Sequence, residues 1–132
     1  MVRQLAFASR ARAGLRSSQT SELIALSREN NARDGVSGIL LYSGESFVSI
    51  VEGSDASISA LWRRVLVDDR HRAIVSLFDV SSRAAWFEGW RAGYVPEPQL
   101  APMIAEWKAL APSLSVDEIG RMRAFCDAAQ TF

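Results

Sequence analysis

The spacing of apolar residues changes period along this chain, and each change marks an element. VRQLAFA (residues 2–8), VSGILLY (36–42), FVSIVEG (47–53) and AIVSLFDV (73–80) are short runs rich in β-branched and aromatic residues, bounded by glycine, serine or charged clusters. Such runs read as strands. The short SGES turn makes the second and third of them a hairpin. GWRAGYV (89–95) predicts a fifth strand. Between the first two strands the period lengthens, and SELIALSRENN predicts a helix capped by Ser18 or Thr20, with Glu22 in its first turn, Arg28 in its last, and Gly35 ending it. After FVSIVEG, Ser54 or Asp55 caps a second helix. There Ile58, Leu61, Trp62, Val65 and Leu66 keep an unbroken i, i+3, i+4 rhythm.

The order β-α-β-β-α-β predicts an α+β, ferredoxin-like sheet with two helices on one face. The chain changes character at Pro96. PEPQLAP reads as a linker, MIAEWKAL as a short helix stopped by Pro112, and Ser115 with Glu118 as the capping box of a last helix. That helix places Ile119, Met122, Cys126 and Ala129 on one face. The expected division is a domain over 1–95 and a C-terminal helical extension over 96–132, packed on the domain or at an oligomer interface.

Two interruptions of the pattern point to chemistry. Leu23, Ser27, Asn30 and Asn31 share one face of the first helix, so the lower half of its apolar stripe turns polar. An inward asparagine offers donor and acceptor to a flat heterocycle with a mixed edge, although asparagine near a helix end is also a simple boundary signal. Ser49 interrupts the third strand. Near the end of the second helix stand Arg63 and Arg64, followed by Arg70, His71 and Arg72. They suit an anion site in which arginine holds a phosphate and His71 donates to a ring or carbonyl. Equally, they suit the ordinary task of satisfying the helix's free carbonyls.

Composition narrows the field. A chain of 132 residues with 48% hydrophobic and 23% charged residues is an ordinary single globular domain. Its formal net charge of zero gives no field that would draw nucleic acid or an anionic membrane, so neither is expected as a partner. Cys126 is the only cysteine, which excludes an intrachain disulfide and makes a reducing, cytoplasmic setting the expectation. No phosphate loop, nucleophile elbow, zinc-binding helix or paired-cysteine motif occurs, so neither an enzyme nor a metal site is expected.

Taken together, SRENNARDGVSGILLYSGESF, FVSIVEG, the arginine-bearing second helix, DDRHR and FEGW resemble the BLUF family of bacterial blue-light sensors. The resemblance runs through residues 2–95. It implies a ferredoxin-like flavin-binding domain over 1–95 with the flavin ring between the two helices, and FAD, FMN or riboflavin as cofactor. It implies that Asn31 hydrogen-bonds the ring, with Ser27 one turn before it. Arg64, Arg70 and His71 match positions that line the ring and the phosphate end, and Trp90 matches the tryptophan of the last strand.

Three positions depart from the family's pattern. Phe7 stands where the photoswitch has a tyrosine, Ser49 where it has a glutamine, and Ala92 where a methionine follows the tryptophan. Phenylalanine has no phenolic proton, and serine has no amide to rearrange. The leading expectation is therefore a flavin-binding regulatory domain of the signal-transducing photoreceptor type with its standard switch lost. It would act as a homo-oligomer or through a downstream protein. The other reading, from a different class, is a flavin-free protein-interaction module on the same fold.

Overall fold

The computed structural model describes all 132 residues. Its elements run β1 (Val2–Ala11), α1 (Ser17–Asp34), β2 (Ser37–Tyr42), β3 (Ser46–Gly53), α2 (Asp55–Val67), β4 (His71–Ser82), β5 (Trp90–Tyr94), α3 (Glu97–Leu110) and α4 (Val116–Ala128). One sheet has the order β4-β1-β3-β2-β5. Its pairs are antiparallel except β2 with β5, which is parallel. This is the ferredoxin-like α+β arrangement with one strand added at the β2 edge.

Alternation along the strands divides the core between the two faces. Leu5, Phe7 and Val51 meet Ile58 and Leu61 of α2, while Leu40, Phe47 and Ala92 meet Ile24 of α1. The neighbouring residues Ala6, Ala8, Ile39, Leu41, Val48 and Ile50 turn the other way. They pack on Leu100, Ile104 and Trp107 of α3 and on Ile119, Met122 and Cys126 of α4.

Several boundaries differ from the sequence expectation. The cap of α1 is Arg16, not Ser18 or Thr20, because the Gln19 side chain reaches back to accept the Arg16 N–H at 2.9 Å. The helix also runs to Asp34, which leaves Arg28 in mid-helix and Arg33 in the last turn; Gly35 ends it with φ 68°. PEPQLAP is not a linker but the opening of α3, where Pro96 is the cap and Pro98 lies in the first turn, which needs no N–H from it. Pro102 does remove one helical bond. Its lost partner would be the carbonyl of Pro98, an exposed residue that water can serve. Burial of Leu100, Ile104 and Trp107 outweighs the local cost.

On the α3/α4 side, a fully buried carboxylate fixes the path into β5. Glu52 accepts from the Ser37 hydroxyl at 2.7 Å, from the Trp86 and Phe87 amides at 2.7 and 2.9 Å, and from Gln4 Nε2 at 3.3 Å. Gly38 N–H donates to Gly89 O at 2.9 Å, and Gly38 then pairs with Trp90. Gly38 has φ 147°, and a Cβ there would lie 2.1 Å from the Ile50 carbonyl, so only glycine fits.

Glu52→Ala strands two main-chain donors and a hydroxyl in the interior. An unsatisfied buried group costs roughly 1–3 kcal/mol, so the variant should lose about 3 kcal/mol or more. A urea unfolding curve should show this as a lowered midpoint.

Candidate functional site

Helices α1 and α2 stand apart over the middle of the sheet, leaving an open-mouthed cavity of about 170 Å³. Its floor is Phe7, Leu40, Phe47, Ser49 and Val51. One wall is Leu23, Leu26, Ser27, Asn30 and Asn31 of α1; the other is Leu61, Arg64 and Val65 of α2. Ser9, Asp68, Arg70, His71 and Trp90 complete the lining. A largely apolar slot with a few placed polar groups is the usual build of a small-molecule site.

Asn31 is 4% exposed and lines the cavity, and no protein group hydrogen-bonds its carboxamide. Only its main-chain carbonyl is engaged, by Val36 N–H at 2.8 Å and by the Gly35 N–H that closes the helix. The carboxamide is thus not sealed in the core but borders the cavity, where its donor and acceptor are free for a partner from outside the chain. Ser49 is different. Its hydroxyl donates across the sheet to the Ile39 carbonyl at 2.9 Å, so its one proton is committed to the backbone. Phe7 lies directly opposite Ser49 in the β1–β3 register and packs on Trp62 of α2 at 5.4 Å.

Both cavity arginines already hold carboxylates. Arg70 grips Asp68 through Nε and Nη2, at 2.9 and 2.6 Å, and its own main-chain N–H adds a bond at 3.0 Å. Burial alone would raise the Asp68 carboxyl, but the Arg70 bonds and charge outweigh it and hold the group below its ordinary value. Arg64 reaches Asp34 at 3.3 Å, and Asp34 is lowered chiefly by its hydrogen bonds from Arg33. Asp68 and Ser9 are polar cavity residues that sequence reasoning missed; the signal for Asp68 was an acid two residues before Arg70.

His71 lines the cavity with both ring nitrogens engaged by the protein. Its Nε2 lies 2.8 Å from the Val65 carbonyl and its Nδ1 2.7 Å from the Ser9 hydroxyl. A carbonyl only accepts, so Nε2–H donates and, in the neutral ring, Nδ1 accepts a hydrogen bond from the Ser9 hydroxyl. The ring thus has no free donor for a ligand, and it does serve a free carbonyl of α2.

Trp90 opens β5 at the cavity edge, with its indole N–H buried and unpartnered. Arg28 sits 5.5 Å above its ring and donates to the Phe132 carbonyl at 2.7 Å. Phe132 and Ala92 exchange main-chain bonds of 2.8 and 3.2 Å. Ala92 is buried with Ile24, Leu40 and Phe47 and does not line the cavity, whereas Ser27, Asn31, Arg64, Arg70, His71, Phe7, Ser49 and Trp90 all do.

An α+β sheet that keeps a ligand-sized slot between its two helices defines a class of small-molecule-binding module. The family model for BLUF, described as sensors of blue-light using FAD, matches residues 2–93, and the chain belongs to that family. It is 32% identical over 56 residues to the blue light- and temperature-regulated antirepressor BluF of Escherichia coli (strain K12), covering 42% of this chain and 14% of the relative. To the photoactivated adenylate cyclase subunit beta of Euglena gracilis it is 27% identical over 70 residues, 53% of this chain and 8% of that one. It therefore spans a small fraction of the length of these relatives. Among solved structures, the BLUF protein BlrB in its dark state superposes with a TM-score of 0.71 at 28% identity, covering 93% of this chain and 95% of that one. The photo-activated state of BlsA gives 0.79 over 100% and 99%, at 17% identity, a likeness of fold. No helix is long and apolar enough to cross a membrane.

The Asp68–Arg70 pair predicts a pH dependence. A carboxyl lowered by folding contributes stability that is fully present above its unfolded value and is lost as pH falls through its folded value. The stability difference between wild type and Asp68→Asn, read from urea unfolding at a series of pH values, should hold steady from neutral pH down to the ordinary carboxylate range. Below that range it should shrink.

Proposed function

We propose that this chain binds a flavin, with FAD as the cellular form, in the cavity between α1 and α2, and that it is a regulatory domain whose standard light switch is disabled. The observation that carries the binding half is Asn31, a buried residue whose carboxamide has no protein partner and borders the cavity at the wall away from its charged end. The groups present fit the cofactor. Asn31, with Ser27 one turn earlier, would meet the mixed donor–acceptor edge of the ring, and Phe7, Leu40, Val51 and Leu61 would cover its faces. Arg64 and Arg70 would approach a phosphate by sharing themselves with Asp34 and Asp68. A bound flavin supplies a blue-absorbing, redox-active ring. FMN and riboflavin present the same ring.

The switch half rests on Phe7 and Ser49. The phenyl ring cannot give a proton, and the serine hydroxyl is spent on Ile39. No proton path leads from β1 through β3 to the slot. Any signal would pass through β5, where Trp90 borders the cavity and Ala92 bonds Phe132. Its output would be a homo-oligomer or a downstream protein. Cys126 is buried and free, with its thiol pushed up to about 12 by burial, in keeping with a reducing cytoplasm.

One observation favours the second reading, a flavin-free interaction module. Both cavity arginines are already paired with acids inside the chain, so the charge balance is complete without a ligand.

The absorption spectrum decides between them. Protein incubated with FAD and desalted should keep a structured blue band, and illumination should leave it without a red shift; a colourless protein sinks the flavin reading. Asn31→Ala should weaken FAD binding about tenfold, the loss of one ~1.4 kcal/mol hydrogen bond.

Phe7→Tyr with Ser49→Gln should recover part of a reversible light-induced shift, and each single variant much less. A double variant that holds FAD and stays silent under light would mean that more than these two side chains has been lost.

A further inference from the structure

The interior of the β1–β4 pair holds a feature that the flavin reading does not use. Its register slips between Ala8 and Arg10, so that Ser9 has no residue opposite it on β4. On the β4 side Ala73 takes φ 55°, a left-handed conformation that a non-glycine residue adopts only when its surroundings demand it. Bulges of this kind re-aim side chains. Here the bulge brings together Ser9, which is 2% exposed, and His71 at the first position of β4.

We propose that His71 acts as an internal brace of the cavity and not as a flavin ligand, and that Ser9 is the positioning residue that holds it. The imidazole spans from β1 to the last turn of α2. Its Nδ1 accepts a hydrogen bond from the Ser9 hydroxyl, its Nε2–H caps the Val65 carbonyl, and Phe47 packs edge-on against its face at 6.4 Å and 87°. Val65 O also accepts the Asp68 N–H at 3.3 Å. The brace therefore ends where the chain turns into Asp68 and Arg70, the ion pair at the cavity's charged end. Taking away the Ser9 hydroxyl frees one end of the ring, so the last turn of α2 loses its side-chain link to β1 while the Arg12 N–H to Arg70 carbonyl bond of 3.0 Å and the Ala11–His71 pairing still hold the turn to the sheet. Ser9 lines the cavity beside His71 and acts on its charged end through this link.

The placement is testable because His71 is the only histidine in the chain. Long-range proton–nitrogen NMR of ¹⁵N-labelled full-length protein reads one imidazole with no assignment problem. The ligand-free wild type should show a protonated Nε2 and an accepting Nδ1, and saturation with FAD should leave that tautomer in place. Ser9→Ala should shift the Nδ1 resonance and weaken FAD binding about fivefold, about 1 kcal/mol at the usual net worth of one hydrogen bond. Ser9→Thr, which keeps the hydroxyl, should restore both. A protonated Nδ1 in the ligand-free wild type, a tautomer switch on adding FAD, or an Nδ1 signal indifferent to Ser9→Ala would each overturn the proposal. The FAD arms rest on the flavin reading, but the ligand-free spectra do not. A chain that takes up no FAD yet shows the expected imidazole signals supports the brace and defeats only the cofactor.

Discussion

A strand turns successive side chains to opposite faces of its sheet, and β3, in the middle of this one, carries the consequences of that constraint for the whole domain. Phe47, Ser49 and Val51 form part of the cavity floor. Val48, Ile50 and Glu52, interleaved with them, belong to the opposite face, where Val48 and Ile50 join the core under α3 and α4. Glu52 then accepts the amides of Trp86 and Phe87 and so fixes the loop that delivers Trp90 to the cavity's edge. A slip of one residue in β3 would exchange the two faces and bury the wrong set on each.

The cavity separates two kinds of polar group. At its charged end, arginines and aspartates satisfy each other, and His71 is spent on Ser9 and Val65. At its other wall Asn31 is open. Internal pairing keeps buried charge tolerable without a ligand, while the open amide supplies directional recognition. An incoming anion would have to share cations already in use, whereas the Asn31 amide would not have to give up a protein partner.

Phe7 and Ser49 make a physically economical pair on the cavity floor. The two are cross-strand partners, and the apolar ring needs no hydrogen bond, while the short hydroxyl finds one in Ile39 O. Neither position leaves an orphaned polar atom on the floor. A tyrosine kept alone beside Ser49 would need a partner for its own hydroxyl.

Local pattern was enough for the strand and helix order, the polar stripe on α1, the caps at Ser54 and Ser115, and the glycine stop at Gly35, because each depends on residues within a few positions of one another. The family resemblance was legible for the same reason, its motifs being contiguous. Tertiary structure alone decided the rest. Pro98 and Pro102 read as a linker, yet long-range burial of Leu100, Ile104 and Trp107 makes their segment helical. Asp68 was passed over in the sequence, and its place at the cavity depends on Arg70 folding back on it. Whether His71 faces a ligand or the protein depended on Ser9, 62 residues away in sequence, and on a bulge that no periodicity announces. Side-chain partners set by register and by chain reversal are non-local, and a one-dimensional pattern does not hold them.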